Sequence, residues 1–257
     1  MQHRDYTSMG GTGGAFLTTH WSLIENIQSS EDKNRDLISL LIYQYWKPVY
    51  CYLRQKGYNN EQSKDLTQGF FHEIVLNLNL FKRADQSRGR FRSFLLYALK
   101  QYLLNEKRRQ GAQKYIPKNK IVSLDAIELP VLPQSVIESG PEDSYNYAWI
   151  SALLDHVLSE VKQKCCQQDM ETHWCVFHDR VVVPMLNNAT PKSLGDICEE
   201  YGIESEKKAS NMIVTVKRRF QSTLKQYIRN TVVSENQMNE ELKEIMKFLP
   251  KKAQHSQ

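Results

Sequence analysis

Apolar residues recur at helical spacing along this chain. Leu66, Phe70, Ile74 and Leu78 lie four residues apart, which places them on one face of an α-helix. Further segments with helical apolar spacing lie at 37–53, 91–103, 148–163, 209–220 and 242–249. This pattern predicts an all-α fold.

Breaks in the helical pattern predict two small helical domains joined by a flexible linker. Residues 119–147 carry five acidic residues and one basic residue, together with Pro130, Pro133 and Pro141, and prolines interrupt regular structure. The first residues are polar and rich in glycine, which is typical of a flexible tail. The predicted divisions are a tail at 1–17, a helical domain at 18–112, a linker at 113–146, a helical domain at 147–232 and a C-terminal helix or tail at 233–257.

Polar side chains lie off the apolar faces of the two helices predicted at the centre of the first domain. Asp65, Gln68, His72 and Glu73 fall outside the stripe of the first of these helices, so they are expected to meet solvent or a partner. In the second helix, the residues that flank or oppose the apolar face are Arg92, Tyr97, Lys100, Gln101, Asn105 and Arg108.

Positive charge is concentrated around the second of these helices. The whole chain has a formal net charge of +5, but residues 82–118 alone contain eleven Lys and Arg against two acidic residues. Cationic side chains interleaved with Phe and Tyr suit a nucleic-acid backbone and its unstacked bases. A solvated basic helix in an ordinary bundle is the alternative, because basic helix faces are common.

A helix-turn-helix pattern follows at 193–229. Residues 193–203 form a predicted short helix that ends at Gly202, a residue type that readily takes the positive φ of a tight turn. Ser205 is positioned to cap a second helix, which would lie in the major groove of duplex DNA, although other two-helix corners share the pattern. The candidate DNA-binding residues of that helix are Lys207, Lys208, Ser210, Asn211, Thr215, Lys217, Arg218 and Arg219.

The order of these motifs resembles that of bacterial RNA polymerase sigma factors of the extracytoplasmic-function type. DLTQGFF at 65–71 and RGRFRSFLLYALKQYLLNEKRR at 88–109 are similar to their region two, and SLGDICEEYGI with ASNMIVTVKRRF is similar to their region four. In that family, region two docks on the core polymerase and holds flipped bases of the minus-ten element, and region four reads the minus-thirty-five element. The resemblance implies core RNA polymerase and promoter DNA as partners, and it allows an inhibitory anti-sigma protein as a third.

Residue roles follow from the same resemblance. The implied core-polymerase-binding residues are Asp65, Gln68, Phe70 and Glu73. The implied residues facing the minus-ten element are Arg88, Arg92, Phe94, Tyr97, Lys100, Gln101, Asn105, Arg108 and Arg109. The chain departs from the family at Gly69, where many members carry Glu, and at Gln101 and Asn105, where members often have Asn and Asp.

The remaining features favour a cytoplasmic binding protein over an enzyme or a membrane protein. The chain has no run of about 18 apolar residues, the minimum for a membrane span. Five cysteines without a framework suit a reducing cytoplasm. No Ser/His/Asp order, paired carboxylates or nucleotide-binding loop is recognisable, so no catalytic residue, cofactor or metal is expected.

Two other functions stay open from the sequence. The first is a helix-turn-helix regulator that binds duplex DNA without polymerase. The second is an enzyme or a zinc-dependent redox sensor, since Cys and His are the residue types that hold zinc. Its candidate ligands, whose spacing matches no C-x-x-C finger, are Cys165, Cys166, His173, Cys175 and His178.

Overall fold

The computed structural model describes residues 34–76, 90–112, 134–187, 189–229, 231–232 and 234–248. Across these ranges the chain is helical and has no strand, so the predicted all-α class is confirmed. The helices are α1 Asn34–Gln55, α2 Asn60–Leu76, α3 Phe91–Ala112, α4 Gln134–Ser139, α5 Pro141–Cys166, α6 Glu171–Phe177, α7 Val183–Asn187, α8 Leu194–Tyr201, α9 Glu206–Arg229 and α10 Glu235–Phe248, with a π-helical segment His178–Val182 between α6 and α7.

The chain divides into two compact units, Met1–Trp149 and Ile150–Gln257. The division falls inside α5, so the start of that helix belongs to the first unit and the rest to the second. Of the segment predicted as a linker, residues 113–133 lie outside the described residues, as does the tail predicted at 1–17. The end of that segment is helical, in α4 and the first residues of α5. The domain limits stay predictions.

Three helices contribute aromatic side chains to the core of the first unit. Tyr45 of α1 meets Phe91 of α3 edge to face, with ring centroids 5.7 Å apart. Phe70 of α2 meets Tyr102 of α3, with ring centroids 5.6 Å apart. Pairs at these distances stabilise a core beyond the area they bury. They hold α3 with one face buried in the unit and the other turned to solvent.

Reciprocal hydrogen bonds set the start of α2. The backbone N–H of Gln62 donates to Oδ1 of Asn59 at 2.9 Å, and the backbone N–H of Asn59 donates to Oε1 of Gln62 at 3.1 Å. This arrangement satisfies N–H groups that a helix start otherwise leaves without partners. The start of α2, and with it the position of its polar side chains, is therefore fixed by local sequence.

Helix α9 is the central element of the second unit. Helices α6, α8 and α10 all pack against it. Val176 of α6, Ile197 of α8 and Ala209 of α9 belong to one buried apolar cluster. On α10, Ile245 is buried, so the helix predicted near the C-terminus forms and packs on this unit.

Candidate nucleic-acid and partner surfaces

Helix α2 turns a polar face to solvent. Asp65, Gln68 and His72 are exposed and lie three or four residues apart, on the same side of the helix. Phe70 lies on the opposite side and is only 2% exposed, so this predicted polymerase-binding residue belongs to the core. Glu73 lies at the edge of α2, where its Oε2 is 3.7 Å from Nη1 of Arg109.

Gly69 allows α2 to approach α3 closely. A Cβ atom at this position would lie 2.5 Å from Oη of Tyr102 and 3.6 Å from its Cζ. The Tyr102 hydroxyl thus occupies the space that a side chain at position 69 would fill. Burial, assisted by the nearby carboxylates of Glu106 and Glu73, raises the pKa of Tyr102 to about 12. The packing accounts for a glycine at this position.

Helix α3 has an exposed face opposite its buried one. Tyr97 is 62% exposed and Leu104 is 49% exposed, and the two lie on the same side of the helix, two turns apart. Large apolar side chains exposed on one face among polar residues are typical of a binding surface. We call this surface the Tyr97 face; its residues are Ser93, Tyr97, Gln101, Leu104, Asn105 and Arg108, all exposed.

The Tyr97 face combines three kinds of group that bind nucleic acid. The ring of Tyr97 can stack on a base. The amides of Gln101 and Asn105 can donate to and accept from base edges. The Arg108 guanidinium can hold a phosphate through paired N–H groups. This combination suits single-stranded nucleic acid, whose bases are accessible for stacking.

The start of α5 braces α3 within the first unit. The Tyr145 hydroxyl donates to the backbone carbonyl of Arg92 at 3.1 Å, and the Arg92 guanidinium lies over the Trp149 ring, 4.7 Å from its centroid. Arg92 is only 3% exposed, so it is enclosed in the unit and not part of the Tyr97 face. A sequence signal for this brace exists, since three aromatic residues stand close together at 145–149, but the predicted boundary after residue 146 divides them between the linker and the second domain.

A salt bridge links α5 to the edge of the Tyr97 face. Nζ of Lys100 lies 2.8 Å from Oε1 of Glu142, and both side chains remain partly exposed. The hydrogen bond from Lys100 is the main reason that the pKa of Glu142 falls below its usual value. A ligand phosphate at Lys100 would have to compete with this carboxylate.

Two other predicted DNA-facing residues of the first unit, Arg109 and Phe94, lie away from the Tyr97 face. Arg109 turns towards carboxylates, with Nη1 2.7 Å from Oε1 of Glu106. Phe94 is half-buried, with its ring centroid 6.0 Å from that of Phe91. Arg88 lies outside the described residues. Four of the predicted residues, namely Tyr97, Gln101, Asn105 and Arg108, are therefore brought together on one surface.

In the second unit, α8 and α9 are two packed helices joined by a short turn, in the region where the sequence predicts a helix-turn-helix. Ser193 caps α8 by accepting from the backbone N–H of Asp196, whose side chain accepts from the backbone N–H of Ser193. Gly202 ends α8 with φ of 62° and ψ of 38°, a left-handed conformation that favours glycine. Ser205 then caps α9 by accepting from the backbone N–H of Lys208 at 3.3 Å.

Helix α9 exposes a cationic stripe along its whole length. Lys207, Asn211, Val214, Arg218 and Lys225 are exposed and recur every three, four or seven residues, which places them on one side of the helix. We call this surface the α9 stripe. It has three positive charges and no acidic residue. Its charge suits the phosphates that line a nucleic-acid groove.

Four of the predicted DNA-binding residues of α9 are not part of the α9 stripe. Lys208 pairs with Glu204, Nζ to Oε2, at 3.2 Å. The Thr215 hydroxyl donates to the backbone carbonyl of Asn211 at 2.8 Å, which ties it into the helix. Ser210 and Lys217 are only partly exposed.

Arg219 turns inward from α9. Its Nη2 lies 3.1 Å from Sδ of Met170, in the turn that follows α5. The guanidinium also interacts with the Cys165 thiol, whose pKa is nevertheless raised because burial outweighs that interaction. Arg219 therefore holds α9 against the end of α5 and is only partly accessible to a ligand.

A network of polar side chains anchors α8 beside the π-helical segment. The Tyr201 hydroxyl donates to Oδ2 of Asp179 at 2.8 Å, and Lys192 lies 3.4 Å from the same oxygen and 2.7 Å from Oε2 of Glu200. Burial acts to raise the pKa of Asp179, but hydrogen bonds from His178, Tyr201 and Lys192 outweigh it and lower that pKa. The ionised carboxylate thus fixes the helix that precedes the turn.

The cysteines and histidines of α5 to α7 are not assembled into a metal site. Within the ranges that the structure describes, no three His, Cys, Asp or Glu side chains are grouped so as to hold a metal ion. Burial raises the pKa of both Cys165 and Cys175, so their thiols stay protonated at neutral pH.

Comparison of the chain with protein-family models, with curated proteins and with solved structures finds no match. None of the helices in the described part of the chain is both long enough and apolar enough to span a bilayer.

Proposed function

We propose that this chain is a transcription initiation factor that binds bacterial core RNA polymerase and directs it to promoter DNA. The observation that carries the proposal is the Tyr97 face, where an exposed Tyr and an exposed Leu stand among two amides and an Arg. Such a surface suits unpaired bases and their phosphates. RNA synthesis would be the reaction of the polymerase, and this chain would act with it in the cytoplasm as a non-catalytic subunit.

The α9 stripe supports the duplex-binding part of the proposal. It lies on the second helix of a capped two-helix corner, the element that enters the major groove in helix-turn-helix proteins. Its cationic side chains suit phosphates. A factor that both finds and opens a promoter needs one surface for duplex DNA and another for unpaired bases.

The polar face of α2 supports the docking part of the proposal. Asp65, Gln68 and His72 are exposed in the same compact unit as the Tyr97 face. The similarity of DLTQGFF to the core-binding helix of sigma factors assigns this face to the polymerase. Phe70, being buried, would support the face from within the unit and would not contact the polymerase.

Retention of the chain by immobilised bacterial core RNA polymerase tests the docking role. We expect one chain per polymerase, and a loss of affinity of about tenfold for Asp65→Ala, the size of effect seen at residues central to an interface. Glu199→Ala is the matched control, because it removes an exposed carboxylate from α8 in the other unit. Unchanged retention of Asp65→Ala, with both variants folded by circular dichroism, would reject the assignment of this face.

A stand-alone helix-turn-helix regulator is the second candidate function. The observation that favours it is that the whole α8–α9 corner, with its caps and cationic stripe, lies within one compact unit. This alternative requires duplex binding without any retention by the polymerase, and the same experiment separates the two.

A further inference from the structure

Val214 is an apolar side chain exposed in the middle of the cationic α9 stripe. It is 40% exposed, whereas Ala209 and Val216 on the same helix are buried. Val214 is therefore partly accessible, and its methyl groups can contact a ligand. In the major groove, the apolar group that a protein can contact is the C5-methyl of thymine.

Asn211 lies next to Val214 on the same side of α9. It is exposed, and its Cα is about 4.5 Å from that of Val214 along the helix axis. Successive base pairs are about 3.4 Å apart along DNA, so the two side chains are spaced for neighbouring base pairs. An Asn amide matches adenine, because its NH₂ donates to N7 and its oxygen accepts from the N6 amino group.

Lys207 and Arg218 flank this pair on the stripe. Both are exposed, and they lie about 16 Å apart along the helix axis. Two flexible cations at this separation can reach phosphates at both ends of the stretch of groove that the helix occupies. Asn211 and Val214, between them, would then lie over the base edges.

We infer that Asn211 and Val214 form a base-reading pair for two neighbouring A·T pairs of duplex DNA. Asn211 bonds the adenine of one pair, and Val214 contacts the thymine methyl of the next. The inference rests on the proposed function, since it takes α9 as the duplex-binding helix, and it adds the bases and the side chains that read them.

Selection of duplexes from a random pool by the full chain, alone and with core polymerase, tests the inference first. The expected result is enrichment of a step of two A·T pairs. Asn211→Ala should lose the preference at one position and Val214→Ser at its neighbour. Gln221→Ala is the matched control, because it removes another exposed amide of α9, about 15 Å further along the helix, and should select the same step as the parent chain.

Modified bases in the selected duplex then isolate each contact. Replacing the adenine by 7-deazaadenine deletes the N7 acceptor and should weaken binding about tenfold. Replacing the thymine by deoxyuridine deletes the methyl group alone and should weaken binding about fourfold. The affinity of Asn211→Ala should not change with 7-deazaadenine, and the affinity of Val214→Ser should not change with deoxyuridine.

The outcomes separate this inference from the function on which it rests. Salt-sensitive duplex binding with no preferred A·T step would overturn the inference and leave the duplex-binding role standing. A preferred step that both variants retain would also overturn it, since other residues would be reading the bases. Absence of duplex binding both with and without polymerase would overturn the inference and the duplex-binding role together.

Discussion

Replacing Gly69 by Ala tests the packing that holds the two candidate surfaces of the first unit together. The new Cβ would lie 2.5 Å from Oη of Tyr102, where ordinary contact is 3.4–4 Å, so the Tyr102 ring must move by about 1 Å. Overpacking of this kind costs about 1–3 kcal/mol, and the better helix propensity of Ala offsets about 1 kcal/mol of it. We expect the unit to be destabilised by about 1 kcal/mol.

The effect of Gly69→Ala on the stability of the unit should have the opposite sign when the Tyr102 hydroxyl is absent. In Tyr102→Phe the nearest ring atom to the new Cβ is Cζ at 3.6 Å, an ordinary contact. Gly69→Ala should then stabilise the unit by about 1 kcal/mol through helix propensity alone. The two backgrounds should differ by about 2 kcal/mol.

Hydrogen exchange of the α2 and α3 amides in the full chain is the suitable assay. It measures the free energy of opening in these helices without assuming that both units unfold in one step. An equal effect of Gly69→Ala in the parent chain and in the Tyr102→Phe variant would refute the reasoning, because it would mean that the hydroxyl does not limit position 69.

Three further substitutions test other contacts, one in the first unit and two in the second. Glu142→Gln should tighten binding of single-stranded DNA about twofold in a fluorescence-anisotropy titration, since it frees Lys100 from a surface ion pair; a gain that persists with Lys100→Ala would contradict this. Gly202→Ala places a Cβ at φ of 62° and should cost about 1–2 kcal/mol, seen as faster exchange of the α8 amides; unchanged exchange would count against strain there. The pKa of Asp179 is lowered from 3.8, so its contribution is present above about pH 4 and is lost as the pH falls through its folded value. Asp179→Asn should therefore destabilise the second unit at pH 7 and shrink the difference in stability between pH 7 and about pH 3; an unchanged difference would show that other groups cause it.

The α8–α9 corner could be predicted from sequence because its determinants are local. Ser193 and Asp196 cap each other across three residues, Gly202 supplies the left-handed turn, and Ser205 caps the next helix. Each of these interactions involves residues that are close in sequence, so residue type and spacing are enough to recognise them. The all-α class follows in the same way from apolar spacing.

The surroundings of single charged side chains could not be predicted in this way. Helical spacing predicts which side of a helix is apolar. A long cationic side chain on the polar side can nevertheless bend to contact a residue that is distant in sequence. Arg92 does so against the ring of Trp149, and Arg219 does so against Met170. For Phe70, by contrast, the apolar spacing of α2 predicts the burial against Tyr102 that is observed, whereas its motif position implies the polymerase.

The reason for a glycine at position 69 lies in the packing of two helices against each other. Only the position of the Tyr102 hydroxyl explains it, because α2 and α3 are separate helices whose approach no local pattern encodes.

The proposal that this chain directs initiation is tested most directly by mapping the 5′ ends of RNA made from a library of bacterial genomic fragments. Core polymerase alone is compared with core polymerase plus this chain. We predict that the chain concentrates the 5′ ends at discrete positions, and that Tyr97→Ala removes this effect while still being retained by the polymerase. A distribution of 5′ ends identical to that of core polymerase alone, with the chain bound, would contradict the account.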